Sequence, residues 1–351
     1  MPHAARRRRL TDDSARACAA ALIVMLCLPA AARAQAGPEQ LLAAVAQLEK
    51  TLATLKLSED EARQRAAELR DVGEQARAGR LRLALYRLHG PWTMTAARAY
   101  VAAKAGVEGR EAFEAEWKRL GAEMDERERR LAALAAADST LLARAMAEAA
   151  QGQARPYYQS GRLYGLNTTV PDGLIYLGLA PAQLDFAIFS RGLRLGPAAG
   201  APRLRPLGPE LARAEAETLE AYRRAEAAAG QANQQQPLFN GVNSTLKLAG
   251  ELNRAGLHAG ALHKYLDAVL MLGRAVAAPP DADELPRLQA RAREYEKRLR
   301  DAGADHSLGL LYLESAQASL AAAPDPEALR RAAVVFERVL PAYLNFCCGG
   351  K

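Results

Sequence analysis

No stretch of this chain alternates apolar and polar residues in the β-branched manner of a strand, while apolar residues recur along it at spacings of three and four. Phe113, Trp117, Leu120 and Met124 form one such stripe, and Glu114 and Lys118 on the same run supply an i,i+4 ion pair. Ala, Leu, Arg and Glu, all strong helix formers, dominate the composition. The pattern predicts an all-α protein of roughly eleven helices. Ser139 and Asp305 are expected to open helices and Gly106, Gly152 and Gly230 to close them. Thr169, with Pro171 and Asp172 behind it, reads as an N-cap with proline in the first turn.

Two stretches interrupt the period. Residues 195–208 are rich in Gly and Pro and read as a linker; residues 230–243 are rich in Gln and Asn, contain Pro237, and read as a loop. The expected organisation is an N-terminal helical region over 37–194, the linker at 195–208, a connecting helix at 209–229, the loop at 230–243 and a C-terminal helical region over 244–346. Each helical region is long enough for its own core.

Residues 254–270 (RAGLHAGALHKYLDAVL) hold His258 and His263, and pose a choice between a metal site and a helical turn. Five positions on a helix separate two side chains by about 140°, whereas two ligands on one face need spacing of three or four. No glutamate completes an HExxH pattern and no cysteine cluster lies near, so no metal is expected and the histidines read as solvated or capping groups. The small residues are more informative. Leu248, Ala249 and Leu252, then Gly256, then Ala261, Tyr265 and Ala268 fit a helix, a tight turn and a second helix in close approach. This arrangement resembles the tetratricopeptide repeat, whose small, glycine, alanine and aromatic positions follow in that order. Leu252 stands where an aromatic is usual and Gly273 where the closing proline would be. Arg77-Ala78-Gly79, four residues, then Ala84-Leu85 repeats the pattern of Arg254-Ala255-Gly256 and Ala261-Leu262, and Ala332, Phe336 and Val339 form a third second-helix pattern. From Gly79 to Gly256 is not a whole number of 34-residue repeats. The resemblance implies antiparallel hairpins stacked as a TPR-like α-solenoid superhelix with irregular repeats, binding through concave faces lined by first helices such as that of Leu252.

Aromatic residues concentrate between Tyr157 and Phe189. Tyr157, Tyr158, Tyr164 and Tyr176, with Asn167 and Asp172 nearby, have two readings: a binding groove for a peptide or extended ligand, or a brace inside the helical stack. No GxSxG, P-loop or GxGxxG motif is present, so no catalytic residue and no cofactor are assigned. Glu314-Ser315 resembles the Glu-Ser pair of soluble lytic transglycosylases. The Gly-Leu-Met-Gln segment is missing, however, and the 36 residues after Ser315 are too few for a lysozyme-like domain.

The first 34 residues read as a secretory signal: Arg6 to Arg9, an apolar run from Ala17 to Pro29, and small residues before cleavage after Ala34 or Ala36. The run is shorter than the roughly 20 residues that span a bilayer, so no stable membrane span is expected after its removal. Leu26 before Cys27 does not fit lipidation. The leader carries six arginines and two aspartates of the chain's 47 basic and 40 acidic residues, leaving 41 against 38. The apparent basicity is mostly the leader's, and no nucleic-acid partner is expected. Cys347 and Cys348, adjacent near the end, are the only cysteines left, so the fold needs no long-range disulfide. The sequence therefore predicts an exported, periplasmic, non-catalytic helical scaffold that binds a protein or peptide.

Overall fold

The computed structural model describes residues 37–134, 139–195, 204–227, 231–276, 284–301, 304–321 and 325–348. The signal segment and Gly230 lie outside them. The described residues are all-α, with no strand, and the helices pack against one another mainly as sequential hairpins. They form two compact units.

The first unit comprises residues 37–134 and 153–194: α1 (Gly37–Thr54), α2 (Glu59–Arg77), α3 (Leu81–Ala103), α4 (Gly109–Ala133), the C-terminal part of α5 (Leu141–Asn167) and α6 (Val170–Gly192). At its centre is α6, which packs on α3 and α4. Thr169 caps it as the sequence predicts, accepting from the Asp172 N–H at 3.2 Å. Among the described residues α6 alone is long and apolar enough to cross a membrane, but 72% of its apolar window is buried against protein, which makes it a core helix. Pro181 does not divide it; the helix runs through. Close approach explains its glycines. A Cβ at Gly178 would lie 2.8 Å from the Ala97 Cα of α3, and one at Gly173 would lie 2.4 Å from the Gly165 Cα of α5.

The second unit comprises residues 139–152 and the described residues from 195 onward: the N-terminal part of α5, then α7 (Pro209–Ala227), α8 (Gln231–Arg254), α9 (His258–Val276), α10 (Leu285–Asp301), α11 (Ser307–Ala321), α12 (Pro326–Val334) and α13 (Leu340–Cys348). Three expectations are corrected here. Residues 231–243 are the first half of α8, not a loop. Phe239 and Val242 extend the buried stripe of Leu246, Ala249 and Leu252 back into the polar segment, and this burial outweighs the Gln/Asn composition and Pro237, which lies on the exposed face. Next, α7 is no connector, because it packs on α8 and α9 within this unit. Finally, Gly152 lies inside α5 instead of ending it. Its missing side chain admits Leu252, whose Cδ2 lies 2.4 Å from where a Cβ would sit. Leu252 is therefore core, and not part of a binding face.

The two Arg-Ala-Gly segments have one physical cause. Gly79 and Gly256 both take φ of +75°, the left-handed region that glycine alone enters freely. Arg80 N–H donates to the Gln75 carbonyl and Gly79 N–H to that of Ala76; Leu257 N–H donates to Leu252 and Gly256 N–H to Asn253. Each is a Schellman cap closing the first helix of a hairpin. Ala84, Ala249, Ala261, Tyr265 and Ala268 are buried, and Leu248 is half-buried.

Buried carboxylates hold helix starts together in the second unit. Asp305 accepts from Ser307 N–H at the start of α11 and from Leu141 N–H at the start of α5, while Ser307 Oγ accepts from Leu142 N–H at 2.9 Å. Glu148, further along α5, accepts from Gly260 N–H at 2.9 Å in the first turn of α9. Helix starts leave N–H groups without intrahelical partners, and here other helices supply the acceptors.

The C-terminal helical run contains a π-turn at Val335–Val339, where Leu340 N–H reaches back to the Val335 carbonyl. Pro341 follows and cannot donate the next helical bond. The Phe336 carbonyl released by this shift accepts from Tyr295 Oη at 2.9 Å.

Candidate functional site

The tyrosine-rich stretch belongs to the first unit, and the structure divides it. Tyr157 and Tyr164 lie two turns apart on α5, and Tyr176 of α6 meets both, stacked on Tyr164 at 4.7 Å and tilted toward Tyr157 at 6.2 Å. Tyr164 and the adjacent Leu163 are exposed. Tyr158 points elsewhere: it is buried, stacks on Trp117 at 5.2 Å, and donates to the Trp117 carbonyl at 2.8 Å. Gly121 makes room for that hydroxyl. Tyr158 thus braces α4 against α5. Asp172 engages the Thr169 hydroxyl at 2.7 Å as part of the α6 cap, and Asn167 is exposed at the end of α5. The six residues do not converge on one site; Tyr157, Tyr164 and Tyr176 form a small aromatic face.

The histidines are also placed differently from the sequence expectation. His263 is buried, not solvated. Its Nδ1 lies 3.2 Å from Tyr312 Oη, and its Nε2 lies 3.6 Å from an Asp267 oxygen. Tyr312 also donates to Asp267 at 3.0 Å, and Lys264 reaches it at 3.3 Å. Burial pushes the Asp267 carboxyl up, but His263, Lys264 and Tyr312 outweigh it and hold it below the ordinary carboxylate range. His306 is buried as well, with Nδ1 3.0 Å from Tyr343 Oη, and burial lowers its pKa. These groups tie α9 to α11 and α11 to α13. Among the described residues no three His, Cys, Asp or Glu side chains are grouped to hold a metal ion. Cys347 is half-buried, and the Cys348 side chain lies outside the described residues.

A further buried polar cluster joins α3 to α4. Glu116 accepts from Tyr100 Oη at 2.6 Å, from Arg119 at 2.6 and 2.8 Å, and pairs with Lys104 at 3.0 Å. Burial raises its carboxyl, yet the hydrogen bonds from Arg119, Tyr100 and Lys104 prevail and bring it from 4.5 to about 2. A folded value below the unfolded one means that the stabilisation is complete above pH 4.5 and is lost as pH falls toward 2. Glu116→Gln is expected to lower stability at pH 7 by about 2 kcal/mol and to flatten the pH dependence of unfolding between pH 5 and pH 3. Urea melts across that range would show it; an unchanged profile would refute it.

A concave feature lies wholly in the second unit, a groove of about 420 Å³ between α7, α9 and the C-terminal helical run. That volume falls within the roughly 300–1,000 Å³ of ligand sites. From α7 come Glu210, Arg213, Glu217, Ala221 and Arg224; from α9, Tyr265, Val269, Leu272 and Val276. The third wall carries Arg338, Pro341, Ala342, Asn345 and Phe346. The floor is apolar and the rims are charged. Arg205 stacks on the Phe346 ring at 4.9 Å and pairs with Glu210. Burial raises the Tyr265 hydroxyl's pKa, with the Glu210 and Glu217 carboxylates adding to it.

Of the residues singled out in the sequence, Tyr265 alone lines this groove. The other lining residues carry no local signal, because the three walls come from segments as much as about 110 residues apart and each stripe alone reads as an ordinary amphipathic helix.

Fold and groove together define an all-α, helical-hairpin protein with an open, amphipathic cleft. No family model matches the chain, and neither a curated protein nor a solved structure matches it.

Proposed function

We propose that this chain is an exported, non-catalytic helical-hairpin protein of the bacterial cell envelope that acts as a scaffold or adaptor by binding a protein or peptide partner. The observation that supports this reading is the groove between α7, α9 and the C-terminal run, which has an apolar floor, charged rims and an open mouth. Such a surface suits an extended partner with its own apolar side chains. The Schellman-capped hairpins at Gly79 and Gly256 are consistent with a tetratricopeptide-like origin, in which paired helices present a concave face. The mature chain would begin at Gln35 or Gly37.

A photo-reactive residue placed at Val276, in the groove, and another at Tyr164, on the aromatic face, test this in the native host. A discrete adduct from Val276 that Arg338→Glu diminishes at least tenfold, with cell fractionation placing the protein in the envelope, is the expected result. Adducts from Tyr164 alone would move the site to the first unit. No adduct from either position would remove the scaffold reading.

A further inference from the structure

The groove's walls share a spacing that points to the shape of its occupant. Tyr265, Val269, Leu272 and Val276 of α9 are separated by four, three and four residues, and Glu210, Arg213, Glu217, Ala221 and Arg224 of α7 by three, four, four and three. Arg338, Pro341 and Asn345 continue the same rhythm on the third wall. This is the spacing with which helices face other helices along a seam. At 1.5 Å per residue the stripes run about 12–21 Å, the length of some eight to fourteen helical residues. Three stripes of this spacing around one cleft leave the place of a further helix. A compact metabolite would need convergent polar groups at one point, and these walls spread theirs along the rims.

The rim charges point to its chemistry. Arg213, Arg224 and Arg338 line the groove against Glu210 and Glu217. Glu210 is already engaged by Arg205, which brings a fourth guanidinium to the edge over Phe346. Arg224 pairs with Glu220 at 3.9 Å, with both side chains more than half exposed, a contact worth little on a surface. The balance at the rims is positive, and arginine is suited to forked hydrogen bonds with carboxylates. The π-turn at Val335–Val339 lies in the third wall and contains Arg338; such turns are frequent at functional sites.

We infer that the groove takes an acidic amphipathic helix from a partner protein, its apolar stripe on Val269, Leu272, Val276 and Phe346 and its carboxylates against Arg213, Arg224 and Arg338. This rests on the groove being the partner site, as proposed above. Charge complementarity of this kind steers encounter and selects partners.

Three fluorescein-labelled peptides of about fifteen residues, used with the full chain, test it by anisotropy at physiological salt. One has leucines at three–four spacing flanked by glutamates, one replaces the glutamates by lysines, and one keeps the glutamates but replaces the leucines by serines. The acidic leucine peptide is expected to bind at least tenfold more tightly than either other. Arg213→Glu/Arg338→Glu, checked for unchanged helicity and melting, should weaken it at least tenfold and strengthen the lysine peptide. Equal or tighter binding of the lysine peptide to the unaltered protein overturns the acidic inference; if Val276→Asp abolishes that binding, the groove remains a peptide site. Binding that neither the arginine reversals nor Val276→Asp alters, or no binding of any peptide, overturns both.

Discussion

Asp305→Ala is expected to destabilise the second unit by about 3 kcal/mol, a larger loss than an ordinary surface cap deletion. The carboxylate is buried and serves two helix starts at once, Ser307 N–H at 2.9 Å on its own helix and Leu141 N–H on α5. Removing it leaves two buried donors without an acceptor, each costing about 1–3 kcal/mol, and removes a negative charge from two helix N-termini. Ser307 Oγ still serves Leu142, so the start of α5 is not left bare. Asp305→Asn keeps one acceptor oxygen and should recover about half of the loss. Urea unfolding followed by circular dichroism would show the second unit's midpoint falling while the first unit's stays in place. Equal midpoints for the alanine variant and the unaltered protein would refute the double-cap account.

The second large effect is expected at Gly173→Ala. Within a helix this exchange ordinarily stabilises by about 1 kcal/mol, because glycine loses more backbone freedom on folding. Here the added methyl would sit 2.4 Å from the Gly165 Cα, 2.7 Å from the Gly165 nitrogen and 2.8 Å from the Gly161 carbonyl oxygen. All three are backbone atoms and cannot rotate away, so α5 and α6 must separate. Gly165 has no room to move, since its own missing side chain is already occupied by the Phe113 ring. The expected cost is about 3 kcal/mol in the first unit's unfolding free energy. Gly250→Ala in α8 is the control, because nothing lies within 4 Å of its Cβ position, and it should stabilise the second unit by up to about 1 kcal/mol. A stabilised Gly173→Ala variant would show that the two helices do not approach as described.

What the sequence made legible, and what it hid, follows from the range of the forces involved. The helical character was legible because spacing of three and four is a local property of one segment. So were the Thr169 cap and the turns at Gly79 and Gly256, since a capping side chain or a left-handed backbone involves only a few neighbouring residues. The polar run at 231–243 misled because composition reports local propensity, whereas Phe239 and Val242 are held helical by burial against other elements. Gly152 misled for the same reason: glycine ends a helix locally, but this one stays inside α5 because Leu252 fills its place.

The candidate site was almost wholly hidden. The tyrosines at 157, 158, 164 and 176 are neighbours in sequence, yet helix geometry turns Tyr158 into the core and leaves Tyr157, Tyr164 and Tyr176 on a face. The groove draws on α7, α9 and the C-terminal run, and nothing within Arg213, Val276 or Arg338's own segment marks it as a wall. By itself the sequence determined an all-α chain with specific turns and caps, because those depend on hydrogen bonds and periodicities a few residues long. Tertiary structure alone decided which helix starts share a carboxylate, which glycines are crossing points and which stripes are left facing an open cleft, because each depends on surfaces that meet only after distant segments have packed.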